Sequence, residues 1–290
     1  MGKIMRKFGF LANGEMLFWD GAKLASFIRG AGYDAVELID DIIFSPDRPA
    51  GYVDGLLKAC KENGIVISEV LVQHDLVLPD PTARKAQREM IINNIARVSD
   101  MGVDTANLFT GPVPWDPSSL KVGASVSYGD AWNMVFEAFD EIIPAAEKYG
   151  VRLAVENVWG MIAHDFYTNY FLQTHYGSKN LGVNLDLSHD TLYGINDPAF
   201  VIRQFGRDKI FHVHLKDAVG IPEDGKFIFP LLGEGNVNFK ALFSALDEIG
   251  YDGVVSVEFE SWKHRGVMWG GEHSKAAPAM REAIDKLLAL

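Results

Sequence analysis

The sequence predicts a single-domain (β/α)8 barrel, the TIM-barrel architecture, spanning residues 1–290. Short apolar, β-branched runs alternate with longer segments of helical period, and the alternation repeats eight times without a break in composition. Five helical segments stop at glycine: GAG at 30–32, ENG at 62–64, DMG at 100–102, KYG at 148–150 and EIG at 248–250, each followed within a few residues by a strand. No low-complexity or Pro/Gly/Ser-rich linker divides the chain. Eight nearly all-apolar strands in series suit a closed parallel barrel better than a doubly wound sheet, which usually has fewer strands and a switch-point crevice.

In chain order, the strands are expected at 7–13 (KFGFLAN), 34–40 (DAVELID), 65–73 (IVISEVLVQ), 103–110 (VDTANLFT), 151–158 (VRLAVENV), 181–188 (LGVNLDLS), 209–216 (KIFHVHLK) and 253–260 (GVVSVEFE), with helices in the intervals. The longest irregular stretches, 111–129, 218–238 and 261–273, each follow a strand. In a barrel such loops rise from the C-terminal face, where these folds place their sites.

Composition narrows the function classes. A net charge of -12 with no run of Lys and Arg opposes binding to nucleic acid or to anionic membranes. Cys60 is the one cysteine, so neither an intrachain disulfide nor a thiolate cluster can form, and a buried structural thiol is expected. The basic N-terminus MGKIMRKFGF leads into a short strand rather than an apolar leader core, and no apolar run approaches the ~20 residues that span a bilayer. A soluble cytoplasmic protein follows, and a homo-oligomer is compatible with it.

Strands five to eight each end in a residue able to bind a hard or borderline metal: Glu156 in LAVENV, Asp186 in VNLDLSH, His214 in FHVHLKD and Glu258 in VSVEFES. Each sits near the last inward position of its strand, so four consecutive strands aim three oxygens and one nitrogen at one point. A lone carboxylate at a strand end is often a cap or a surface group. Three buried together cost several kcal/mol unless a cation is present. The donor set suits one divalent ion, Mn2+ foremost, with Mg2+, Co2+ or Zn2+ also compatible. Period-two parity places Ala154, Asn184, His212 and Ser256 one layer below, as a floor that hydrogen-bonds to the ligands. Glu260 shares the face of Glu258 one step higher, but Glu258 matches the depth of the other three.

These residues carry a resemblance. Glu156-Asn157, the Asp186-x-x-His189 pair, His212-x-His214-x-Lys216-Asp217, the GEG loop at 233–235 and GYDGVVSVEFE at 250–260 resemble the xylose-isomerase-like barrels, the sugar phosphate isomerase/epimerase superfamily. The resemblance implies that Glu156, Asp186, His214 and Glu258 bind the metal, that Glu156 and Glu258 act as catalytic acid and base, and that His189 holds substrate oxygens. Ketohexose 3-epimerases have an arginine six residues beyond the ligand histidine, where this chain has Gly220; HVHLKD is closer to inosose dehydratases and related keto-sugar enzymes. The endonuclease IV family shares the barrel, but strand four offers Asn107 where that family has a further histidine, no Asp-x-His follows strand seven, and the surface is acidic.

His74 after strand three, Asn107, Lys216, Trp115 and Trp262 join His189 as candidate substrate-binding residues. Lys216 has the parity of His214 and would reach a substrate oxygen or enolate, or pair with Asp217 or Glu258. Trp115, Trp159 and Trp262 would wall a sugar-sized pocket, or pack within the fold or an interface. LLGEGN at 231–236 lacks the spacing of a dinucleotide fingerprint and reads as a flexible lid turn. The expected activity is metal-dependent isomerisation or epimerisation of a sugar or cyclitol by proton transfer beside a chelated carbonyl. A lyase of the inosose dehydratase or 3-oxo-glycoside-eliminating type, and a non-catalytic metal-dependent sugar binder, are the alternatives.

Overall fold

The computed structural model describes residues 6–261 and 263–289. Eight parallel strands close into a barrel: β1 (Lys7–Leu11), β2 (Ala35–Ile39), β3 (Val66–Leu71), β4 (Thr105–Leu108), β5 (Arg152–Glu156), β6 (Leu181–Asp186), β7 (Ile210–Leu215) and β10 (Val254–Val257), with β10 against β1. A two-stranded antiparallel ribbon, β8 (Val219–Gly220) with β9 (Phe227–Ile228), lies in the loop after β7. Every strand ends earlier than its hydrophobic run, by up to three residues, because the chain leaves the ladder there to form the loops that carry the site.

The helices are α1 (Gly21–Gly30), α2 (Asp40–Ile43), α3 (Tyr52–Glu62), α4 (Pro81–Asp100), α5 (Tyr128–Tyr149), α6 (Phe166–Tyr176), α7 (Leu187–Leu192), α8 (Pro198–Phe205), α9 (Phe239–Glu248) and α10 (Ala276–Leu288). Asp20, Asp80, Ser127, Asp165, Asp197 and Asn238 cap six of them by accepting a backbone N–H of the first turn. The helix-ending glycines read from the sequence take left-handed backbone, Gly64 at φ 64° and Gly150 at φ 69° among them, a conformation that side-chain-bearing residues rarely adopt.

Strand residues with odd and even parity do different jobs. Phe10, Val36, Val70, Leu153, Val155, Val183, Leu185, Val213 and Val255 are buried in the main apolar cluster with helix residues such as Leu56, Ile95 and Phe139. The alternate residues form in-register rows across the barrel, Glu37 opposite Glu69, Asn184 opposite His212 and Ser256 opposite His214, so the interior is polar. A register shift between β2 and β3 leaves Ser68 unmatched and brings Glu69 level with Glu37. No described helix is long and apolar enough to cross a membrane.

Candidate active site and metal centre

Glu156 closes β5, Asp186 closes β6 and caps α7, His214 is the penultimate residue of β7, and Glu258 follows β10 directly. One ligating atom from each lies within 4.8 Å of all the others. His214 turns Nδ1 to this group, 3.2 Å from Glu156 Oε1 and 3.3 Å from Glu258 Oε2, and sets Nε2 2.9 Å from Glu37 Oε2 on the opposite side. A ring nitrogen aimed at the donors with its other nitrogen held by a carboxylate is the arrangement that prepares imidazole as a ligand. Asp186 Oδ2 is buried and accepts no hydrogen bond among the described residues, although the Lys216 ammonium lies 2.9 Å away. Three carboxylates and an imidazole converging around that oxygen fit a divalent cation by geometry and donor type.

Lys216 supplies the positive charge among these acids. Its Nζ is 2.6 Å from Glu258 Oε2, 2.9 Å from Glu260 Oε2 and 3.0 Å from His189 Nε2, and it sits over the Phe229 ring. Burial disfavours the ammonium, but Asp186, Glu258 and Glu260 outweigh it and raise the Lys216 pKa. The two glutamates are pushed apart. Burial takes Glu156 up to about 7, helped by the nearby charge of Glu258 and opposed by His214. Glu258 is buried as well, yet Lys216 and His214 hold it below the usual carboxylate range. His189 accepts the Trp159 backbone N–H through Nδ1, and burial together with Lys216 lowers its pKa to about 3, which keeps the ring neutral.

The site opens into a cavity of about 630 Å³ on the C-terminal face of the barrel. Glu156, His189, Lys216, Glu258 and Gln73 line its floor, with Trp159, Phe227 and Phe229 among its walls. The GEG loop is no flexible lid. The buried carboxylate of Asp217 accepts the N–H groups of Ala218, Gly233, Gly235 and Val237, and the last three pin the loop to the tip of β7.

The sequence-derived residues fall in different places. Lys216, His189 and Trp115 line the main cavity, and Trp115 is 59% exposed at its edge. Asn107 does not reach it: fully buried, it donates through Nδ2 to Glu69 Oε1 and Glu156 Oε2, because its position on β4 is one layer deeper than the ligand tips. His74 faces an adjoining chamber, since Nε2 is engaged 2.8 Å from Asp40 Oδ2. Trp262 lies outside the described residues. His212 belongs to the layer below, 3.1 Å from Asn184 Oδ1 and 3.4 Å from Glu69 Oε1, so the floor bonds to Glu37 and Glu69 more than to the upper four.

Three residues escaped the sequence reading. Gln73 donates to Glu156 Oε2 at 2.9 Å, while Glu37 and Glu69 carry the polar layer beneath His214. The available signal was a carboxylate in the middle of an otherwise apolar strand, in AVELI and ISEVL.

Comparison with known proteins accords with this geometry. An inosose isomerase of Bacillus subtilis (strain 168) is 32% identical over 128 residues, 42% of this chain and 45% of that protein. An uncharacterised protein of Methanocaldococcus jannaschii is 35% identical over 128 residues, 42% of each chain. These matches span less than half the length of either relative. A putative L-ribulose-5-phosphate 3-epimerase of Escherichia coli (strain K12) is 23% identical over 245 residues, 79% of this chain and 80% of the other. Among solved structures, a D-tagatose 3-epimerase-like protein superposes with TM-score 0.73 at 22% identity over 98% of this chain and 97% of that one. An IOLI protein with a bound zinc atom gives 0.71 at 21%, over 98% and 96% of the two chains. The model of one family matches residues 25–290, taking in seven of the eight strands and all four converging donors, and by it the chain belongs to the xylose isomerase-like TIM barrel family.

Proposed function

We propose that this protein is a divalent-metal-dependent sugar isomerase or epimerase, with Glu156 and Glu258 as the proton-transfer pair. The supporting observation is that two glutamates with opposed electrostatic settings meet an imidazole and a third carboxylate at the floor of a sugar-sized cavity. A cation held by Glu156, Asp186, His214 and Glu258, with Mn2+ first among the candidates, supplies electrophilic polarisation of a substrate carbonyl and acidifies the adjacent C–H. Glu156 and Glu258 are the pair that would take the proton and return it; before the cation binds, Lys216 and His214 hold Glu258 below the usual carboxylate range while burial raises Glu156. Neutral His189 offers Nε2 to a substrate oxygen, and the Lys216 ammonium neutralises charge that develops there.

One observation favours a lyase as the second reading. Lys216 Nζ donates to Glu258 Oε2 at 2.6 Å, so a cation lies beside the point where a departing hydroxide or alkoxide would carry its charge. Inosose dehydratases of Lacticaseibacillus casei are 24% identical to this chain over 147 residues. The substrate in both readings is a sugar or cyclitol carrying a ketone.

The deciding experiment is solvent-deuterium exchange with keto-sugars, keto-inositol and 3-oxo-glucosides on Mn2+-loaded protein. Glu156→Gln and Glu258→Gln should each lower turnover by about 10²–10⁴. In an epimerase both variants lose turnover and deuterium enters at the inverted carbon. In a lyase only the base variant stops C–H exchange. Near wild-type turnover in both metal-loaded variants would refute the two-glutamate mechanism, and metal-dependent turnover of any substrate removes the reading of a non-catalytic binder.

A further inference from the structure

The space above the barrel continues past the active-site floor. A second chamber of about 350 Å³ lies over the ends of β2 and β3, and the two cavities have Ile39, Leu71, Gln73, Phe109 and Trp115 as common walls. Pockets that enclose drug-sized ligands run to roughly 300–1,000 Å³, so the main cavity alone houses a keto-sugar ring. The second chamber is room that such a ring does not use.

Its walls differ in kind. The polar part of the lining is Asp41, His74, Asp75 and Gln87, with Asp40 behind them. Asp40 fixes the His74 ring through Nε2, and Asp40 is itself held by Asn94 Nδ2 at 2.8 Å and by the Asp41 N–H at 2.7 Å. Its oxygens are therefore committed to hydrogen bonds, which makes the trio of Asp40, Asp41 and His74 a hydrogen-bonding wall rather than a cation site. Asp75 is likewise engaged, by the N–H groups of Val77 at 2.8 Å and Val113 at 3.0 Å. His74 Nδ1 and the Gln87 amide remain for a ligand. The aromatic part is Phe109 and Trp115, which meet edge to face with ring centroids 6.2 Å apart.

A lining that combines polar groups with aromatic rings matches a molecule with hydroxyls around its edge and C–H bonds on its faces. An apolar substituent would desolvate His74 and Gln87 without replacing their hydrogen bonds. An anionic one would meet Asp41 and Asp75. We infer that the second chamber is a subsite for a second, neutral, polyhydroxylated ring, so that the substrate is a two-ring keto-glycoside rather than a free monosaccharide. This rests on the sugar-isomerase reading of the main cavity and adds the size of the substrate.

The experiment titrates the Mn2+-loaded 290-residue chain with maltose oxidised to a ketone at C3 of its non-reducing ring, and separately with glucose carrying the same ketone. Calorimetry gives affinity, and mass spectrometry follows solvent deuterium in each ligand. The disaccharide is expected to bind about 10-fold more tightly or better, and Gln87→Ala and Asp41→Ala each to weaken it about 3–10-fold while shifting the monosaccharide less than about 2-fold. Both positions are incompletely buried, so the variants keep the fold and their metal content. Equal affinities, binding of neither ligand, or parallel weakening of both overturns the subsite. Deuterium reads the other question independently: selective disaccharide binding without exchange keeps the subsite and removes the isomerase, whereas exchange in both ligands without preference does the reverse.

Discussion

His214 shows how much one side chain depends on its neighbours. Nδ1 faces the upper carboxylates with Nε2 held by Glu37, and among the described residues Glu37, in the barrel interior, has only the two histidines and the surrounding polar row to solvate it. Removing that carboxylate frees the ring to rotate, and losing such an outer partner typically weakens metal binding about 10–100-fold. Glu37→Ala is therefore expected to lower affinity for Mn2+ in this range, measured by competition with a chelating dye, while Asp186→Ala and His214→Ala should abolish stoichiometric metal and retain the barrel's circular dichroism. Stoichiometric metal in both of the latter variants would remove the centre from these residues. At this scale the upper four donors were legible, because each ends a strand and their parity matches. Glu37 and Glu69 were not read: a carboxylate inside an apolar strand was the signal available, but the register shift at Ser68 that aligns the two is a property of paired strands. Asn107 and His74 were legible as residues but not in depth: one sits a layer too low, the other across a wall.

At the scale of elements, the loop after β7 departs furthest from its sequence reading. LLGEGN has the composition of a mobile turn, and what holds it is a carboxylate some 16 residues away in sequence, between Asp217 and Gly233. Replacing Asp217 by Ala strands four backbone donors, and a cost of about 2–4 kcal/mol is expected from urea denaturation, with new proteolytic cleavage between 219 and 232. Unchanged stability would mean that water replaces the carboxylate without loss. Gly220 has a related explanation. Its φ of 117° and the approach of the Lys226 carbonyl leave no room for a Cβ, so the ribbon's backbone excludes the arginine that ketohexose 3-epimerases carry at this spacing. Gly220→Ala should disorder β8 and β9 without altering metal content, visible as faster amide exchange confined to that ribbon.

For the whole molecule, the fold was legible almost throughout, because eight repeats of one pattern reinforce each other and five of the helices announce their own ends with glycine. The closure of the ring was the part no single unit specifies. Beyond the pairing of β1 with β10, it is tied by Glu15, whose carboxylate accepts the N–H groups of His273 and Ser274, and by the His273 ring between Phe10 and Phe259. Burial lowers the pKa of His273 to about 4, with Arg265 adding to the effect. An unfolded histidine titrates near 6.5, so the unfolded chain takes up a proton that the folded one refuses. This histidine's contribution is intact above about pH 6.5 and is lost as pH falls toward 4, by about 3 kcal/mol at most. His273→Leu should flatten the stability curve in that window relative to the unmodified protein, and parallel curves for the two would exclude the histidine as the source.

The double use of the β7 tip has a consequence for how this scaffold changes. Lys216 and Asp217 are consecutive, one turned to the converging carboxylates and the other gripping both Ala218 and Gly233, the two ends of the segment between them. That segment is in effect a closed ring fastened to one residue, and enlarging a closed loop costs only about 0.6 kcal/mol per doubling of its length. Its outer part, residues 219–228, thus forms an exchangeable cassette, leaving Phe229 against Lys216 and Leu232 in the core. Grafting segments of other length and chemistry between the fixed ends should retune which substituents the cavity admits, while metal affinity and barrel stability stay where β7 sets them.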